Sequence, residues 1–217
     1  MLFALDHELQ FPPVHLAEPD GLLAIGGDLS RERLLLAYRS GIFPWYEGSH
    51  ILWWCPDPRC VLFPEELKVS KSMRQLIRKG TLSFTVNRAF REVISNCKTI
   101  ARRGQESTWI TDEVREAYIG LHEAGYAHSA EAWLNGRLVG GLYGLRMGRV
   151  FFGESMFSQV SNASKYAFTL YTEQLMQQGV RLIDCQVHTE HLESLGARMI
   201  PRSEFISLLG SLTGSPA

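Results

Sequence analysis

The chain has 217 residues, 45% of them hydrophobic, a formal net charge of −1 and four cysteines. That balance excludes a disordered polypeptide and leaves room for one full core, or a main domain with a smaller annex. No run of roughly 18 apolar residues offers a membrane span, four cysteines in a chain this long make no disulfide framework, and the opening MLFALDHELQFPP lacks the basic n-region and apolar stretch of a secretion signal; the expected setting is cytoplasmic, with reduced thiols and no membrane.

Residues 1–60 are dense in glycine, proline and tryptophan (EPDGLLAIGGDLS, YRSGIFPWYEG, ILWWCPDPRCVLFP) and predict a small, loop-rich N-terminal domain. One helix is expected there, over RERLLLAYRSG, opened by Ser30 as N-cap and stopped by Gly41. Trp53 and Trp54 are expected to pack against the main domain, residues 61–217.

In VSKSMRQLIRKG, Met73, Leu76 and Ile77 share one helical face while Lys71, Arg74 and Arg78 share the other. LSFTV alternates as a strand. NRAFREVISNCKTIARRG reads as a second amphipathic helix with Phe90, Val93, Ile94 and Cys97 inward, closed by Arg102 and Arg103 where the helix dipole favours cations. From Lys68 to Arg103 ten basic residues face one acid, Glu92, so the near-neutral total conceals a +9 segment against −10 elsewhere. A solvated face explains such helices, and so does a phosphate-binding surface.

TWITDEVREAYIGLHEAG predicts a helix capped by Thr111, with Val114, Tyr118 and Leu121 inward and Gly125 as its stop. AHSAEAWL, RLVGGLYGLR and RVFFGESMF read as three strands joined by NG and MG turns into an antiparallel meander. A helix over KYAFTLYTEQLMQQ, a strand over VRLIDCQV, a short helix near EHLESLG and a last strand and helix through RMIPRSEFISLLG follow. By analogy of order this is an acyltransferase-type α/β domain, a mixed sheet flanked by helices whose central strands splay to admit substrate. Users of acetyl-CoA hold its pyrophosphate on a glycine-rich loop at a helix N-terminus. Here that loop reads SMFSQVSNASK, without the glycines, which disfavours CoA; no cofactor is expected.

A period of two groups Asp184 with Gln186 on one face of VRLIDCQV, leaving Ile183 and Cys185 on the other. The same rule groups Phe152, Glu154 and Met156 on RVFFGESMF. Polar groups beside apolar side chains describe a pocket, or equally an internal network that satisfies buried groups. In FFGESMF the Glu154 carboxylate stands among three phenylalanines and a methionine and needs a cationic or hydrogen-bonding partner, which a basic substrate could supply. Neither Cys55 with Cys60 nor His188 with His191 has strong zinc spacing, so no metal is expected. Cys185 reads as core, Ser129 lacks a nucleophile-elbow motif, and no spacing singles out a histidine as general base.

GLLAIGGDLS, GIFPWY, WWCPDPR, ESTWIT, AHSAEAW, LVGGLYG, FFGESMFS, NASKYA, LIDCQV and HLESLGA together resemble the motif series of the leucyl/phenylalanyl-tRNA-protein transferase family, in order from about Glu18 to Arg202. The departures are Cys55, where the usual pattern resembles WWSPDPR, and a short C-terminal end. The resemblance implies an acetyltransferase-like (GNAT-type) catalytic domain that takes no CoA. Such an enzyme moves leucine, less readily phenylalanine or methionine, from aminoacyl-tRNA to the N-terminal Arg or Lys of an acceptor protein, which then enters N-degron degradation. It further implies that Trp45, Trp109, Leu142, Met156, Tyr171 and Ile183 shape the aminoacyl pocket, that Tyr38 and Trp45 lie near the terminal adenosine, and that Glu154, Asp184 and Gln186 form the polar centre. On that reading Lys71, Arg74, Arg78 and Lys79 hold the acceptor arm through phosphates without reading bases. Gln186 positions the incoming amine, Asp184 polarises it, and Glu154 faces the acceptor's basic end or amino group; the chain is expected to act as a monomer. On the residues alone, a CoA-dependent N-acyltransferase and a noncatalytic tRNA-binding protein stay open.

Overall fold

The computed structural model describes residues 2–99 and 110–214. Its N-terminal part forms a four-stranded sheet of short strands, β1 (Phe3–Leu5), β2 (Leu22–Gly26), β3 (Phe43–Pro44) and β4 (Leu52–Trp54), in the order β1-β2-β4-β3. Helix α1 (Arg31–Arg39) links β2 to β3, and Ser30 Oγ caps it by accepting from Arg33 N at 3.4 Å. It buries Leu34, Leu35, Ala37 and Tyr38. Trp53 is fully buried, donates from its ring to Gly26 O at 2.9 Å and meets Phe11 edge-on at 4.9 Å, so its role is packing.

Strand β5 (Arg59–Leu62) leaves this region and enters a seven-stranded sheet. Helix α2 (Lys71–Lys79) follows, capped by Ser70 Oγ from Met73 N at 3.1 Å and ended by Gly80 in the left-handed region. Met73 turns inward while Lys71, Arg74, Arg78 and Lys79 are exposed, as the helical spacing predicts. Next come β6 (Ser83–Val86), α3 (Phe90–Thr99) and α4 (Asp112–Glu123), the last capped by Thr111 Oγ1 from Val114 N at 3.1 Å. The expected ending of the second basic helix at Arg102 and Arg103 lies outside the described residues.

The meander is formed by β7 (Ala127–Leu134), β8 (Arg137–Met147) and β9 (Val150–Ser158). Asn135 and Gly136 both take positive φ, 50° and 76°, the geometry a tight two-residue hairpin demands. Then α5 (Ala163–Gln177), β10 (Leu182–Gln186), α6 (Glu190–Ser194), β11 (Arg198–Ile200) and α7 (Arg202–Thr213) complete the expected α/β order. The large sheet runs β11-β5-β10-β9-β8-β7-β6, and its β9–β10 pair is parallel. One face packs on Tyr38, Phe90, Val114, Tyr118 and Phe205 from α1, α3, α4 and α7. The other packs on Met73, Tyr166, Phe168 and Tyr171 from α2 and α5.

The two parallel strands part company midway. They pair from Leu182↔Val150 to Asp184↔Phe152 and no further. In β9 the register with β8 jumps from Gly144↔Gly153 to Tyr143↔Ser155, leaving Glu154 as an extra residue; in β10 the register with β5 jumps from Asp184↔Val61 to Gln186↔Cys60, leaving Cys185 as one. A bulge bends its strand and ends regular pairing, so two bulges side by side open the sheet. Gly144 admits the first, since a Cβ there would lie 2.1 Å from Phe152 O. The bulge also corrects the period-two expectation for RVFFGESMF: Phe152 packs on the α3 side and Met156 on the α5 side, because an extra residue inverts the alternation beyond it.

Candidate active site

Where β9 and β10 separate, a cavity of about 330 Å³ opens. Leu142, Met156, Phe168, Ile183 and Leu192 give it apolar walls, and Glu154 and Gln186 stand at its polar end. Cys185, expected as core, is buried and also reaches its wall, two residues along β10 from Ile183.

Glu154 does not wait for an external partner. Its Oε1 accepts from Tyr38 OH at 2.6 Å and from Gln186 Nε2 at 3.0 Å, and its Oε2 accepts from Tyr118 OH at 3.1 Å. The two tyrosine hydroxyls also lie within hydrogen-bond reach of each other, and since two phenol protons serve three contacts, all three bonds form together only when Glu154 carries a proton. Four elements, α1, α4, β9 and β10, thus converge on one carboxyl group. Burial pushes that carboxyl up to about 7 against the restraint of the tyrosine hydrogen bonds. Burial and the neighbouring Glu154 charge hold both tyrosines well above their ordinary range, so they remain donors.

Asp184 stands behind this cluster rather than on the cavity. It is fully buried and takes Arg59 Nε on Oδ1 at 2.8 Å and Arg59 Nη2 on Oδ2 at 2.7 Å. The guanidinium lies between the rings of Phe43 and Phe205, 4.7 and 4.5 Å from their centroids. Asp184 Oδ1 also accepts from Gln186 N at 3.0 Å, which holds Gln186 at φ 64°. A non-glycine residue in that region costs roughly 1–3 kcal/mol and persists only where its surroundings enforce it. With Nε2 committed to Glu154, the side-chain carbonyl of Gln186 is left to accept.

Of the other expected pocket residues, Leu142, Met156 and Ile183 line the cavity with Glu154 and Gln186. Tyr171 does not: it is buried on α5, edge-on to Phe151 at 5.2 Å. Trp45 is 37% exposed, tilted against Trp54 at 5.7 Å and away from the cavity lining. Tyr38 is spent on Glu154 and leaves no face for an adenosine. Trp109 lies outside the described residues.

The positive charge is less widely spread than the sequence suggests. Lys71, Arg74 and Arg78 line one groove beside α2 together with Glu173, and Lys79 is exposed beyond it. Among the described residues none of these four cations makes a salt bridge. On α3, by contrast, Arg91 pairs with Glu123 and Lys98 with Asp112, both at 2.6 Å, because acidic α4 packs alongside. Among the described residues no helix is long and apolar enough to cross a membrane.

The family model described as leucyl/phenylalanyl-tRNA protein transferase matches residues 61–210, and the one for that enzyme's N-terminal domain matches residues 27–57. The chain belongs to this transferase family. Relatives named leucyl/phenylalanyl-tRNA–protein transferase from Syntrophobacter fumaroxidans and Flavobacterium johnsoniae are 57% and 56% identical, over 96% and 97% of this chain and 89% and 100% of their own. A solved GCN5-related N-acetyltransferase from Kribbella flavida covers 77% of this chain and 59% of its own at 12% identity and TM-score 0.40, too loose a likeness to bear on the reaction.

Three residues that build the transferase site escape a reading by spacing. Tyr118 occupies an inward helical position, where only the need of its hydroxyl for a partner hints at more than packing. Arg59 opens the apolar run RCVLF, and a buried arginine requires an acid that the sequence cannot locate. Phe168 reads as one more core aromatic of α5.

Proposed function

We propose that the cavity holds the side chain of leucine, or of phenylalanine or methionine, esterified to tRNA, while Glu154 and Gln186 present the N-terminal amine of an acceptor protein beginning with Arg or Lys. Membership of the family supports aminoacyl transfer from tRNA to protein as the reaction. The observation that carries the site assignment is the apolar cavity ending on a carboxyl group held by two tyrosines and Gln186.

The amine nitrogen attacks the ester carbonyl carbon, the bond to the ribose oxygen breaks, and the proton lost by the amine ends on that oxygen. The ester is already activated, so no nucleotide hydrolysis is needed. An α-amine with a pKa near 8 is substantially neutral at cytosolic pH, and orientation is the main task of the protein. The Gln186 carbonyl accepts a hydrogen bond from the amine. Glu154, titrating about 7, takes or tolerates the positive charge that develops on it. Asp184 acts through Gln186 as a positioning residue. Apolar walls accept side chains unbranched at Cβ, although one methylene discriminates by only about 1–3 kcal/mol.

In this reading Lys71, Arg74, Arg78 and Lys79 bind tRNA phosphates. Residues 1–60 and 61–217 are two domains, the chain works as a cytoplasmic monomer, and its products enter N-degron degradation. The test is transfer of labelled leucine from leucyl-tRNA to a protein starting with Arg, with an N-acetylated copy as control. Label on the free N-terminus alone is the expected result. Absence of label on both overturns the reading.

A further inference from the structure

A second hollow, of about 350 Å³, lies on the α2 and α5 face of the large sheet and shares no lining residue with the acyl cavity. Lys68 precedes α2 and Lys165 lies in the first turn of α5; both line the hollow and no acid does. Among the described residues neither lysine makes a salt bridge. Ser70 and Ser72 at the start of α2 line it too, their hydroxyls 3.0 Å apart. First-turn amides of a helix lack intrahelical acceptors and carry the positive end of its dipole, a setting suited to an anion. Independent of the helix end is Thr169, whose residue is 1% exposed and whose hydroxyl has no partner among the described residues, although it lines this hollow. A buried hydroxyl without a partner is unfavourable, and a ligand oxygen would complete it.

We propose that this hollow binds one backbone phosphate of the RNA substrate, on the opposite side of α2 from the groove of Lys71, Arg74 and Arg78. Val69 lines both grooves, so they adjoin there and one strand can pass from the first to the second. This assignment rests on aminoacyl-tRNA being the substrate; the hollow's affinity for phosphate as such does not.

The test is equilibrium binding of uncharged tRNA across a salt titration, with Lys68→Ala/Lys165→Ala and with Thr169→Val, which keeps the side-chain shape and serves if the lysine pair affects folding. The lysine pair variant should bind about tenfold more weakly at low salt, with the slope of log affinity against log salt reduced by about one in all, for the one phosphate no longer neutralised. Thr169→Val should weaken binding about threefold. Unchanged affinity and slope in both variants overturn the proposal. Inorganic phosphate titrated by calorimetry separates the sources: saturation of the wild type that is lost in the variants, with tRNA binding unaltered, removes RNA as the occupant and overturns the assignment. Because uncharged tRNA needs no chemistry, failure of leucine transfer in the parallel assay would sink the catalytic reading and leave this measurement to decide the hollow.

Discussion

Arg59 and Asp184 meet through paired hydrogen bonds of 2.8 and 2.7 Å, with side chains 1% and 0% exposed. They sit on adjacent strands, β5 and β10, and the carboxylate that receives the guanidinium also fixes the backbone of Gln186. Stability and catalysis therefore depend on the pair in different ways, and the two can be separated. Asp184→Asn strands a buried charge and should cost about 3–5 kcal/mol in urea unfolding. The combined Arg59→Met/Asp184→Leu variant should recover much of that stability yet regain no transfer activity, because nothing holds Gln186. Recovery of both together would show that Asp184 serves the fold alone.

Glu154 gives stability a pH dependence of known sign. Its carboxyl titrates at about 7 in the folded chain and at 4.5 ordinarily, so between those values the folded chain keeps a proton that the unfolded chain has released. The contribution is full below pH 4.5, declines as pH rises to about 7 and is absent above. Its size is on the order of 1–3 kcal/mol once partial exposure is allowed for. Urea midpoints at pH 5, 6, 7 and 8 should show this decline in the wild type and a flatter profile in Glu154→Gln. Parallel profiles would contradict it.

Tyr38→Phe removes the hydroxyl that donates to Glu154 Oε1 and holds its pKa down. The Glu154 titration should move above the wild-type value, as read by NMR of carboxyl-labelled glutamate. A midpoint that stays in place or falls would mean that the hydroxyl does not stabilise the charged form.

Met156 lines the apolar wall of the cavity. Met156→Ala should lower kcat/KM for leucyl-tRNA about tenfold and raise the ratio of phenylalanine to leucine transferred, since the larger ring uses the added space. An unchanged ratio would place the side chain of the esterified amino acid elsewhere.

Arg74 has no acidic partner in a salt bridge among the described residues, whereas Arg91 is matched by Glu123. Arg74→Glu should raise the KM for aminoacyl-tRNA and flatten its salt dependence, and Arg91→Ala should do neither. Equal effects of the two would move the RNA away from α2.

Much of this was legible in the chain because it is local. The caps Ser30 and Thr111, the Asn135-Gly136 turn and the inward face of α2 all follow from rules that reach no further than a few residues. Alternation groups Asp184 and Gln186 on one face, yet the extra Cys185 sends Gln186 to the cavity with Ile183 while Asp184 stays behind it on Arg59. Contacts that span the chain were not legible: Tyr38 and Glu154 are 116 positions apart, Arg59 and Asp184 are 125, and no periodic signal reaches so far. Alternation also fails wherever one residue is added to a strand, so Phe152 and Met156 were grouped on one face and lie on two.

Each of the two central strands carries one residue more than its outer neighbour can match. The slot is therefore specified by chain length as much as by side-chain identity. Deleting the surplus position from β9 or β10 would allow the ladder to zip through Gln186, and the opening would vanish although only one lining residue, Glu154 or Cys185, had been taken from the sequence.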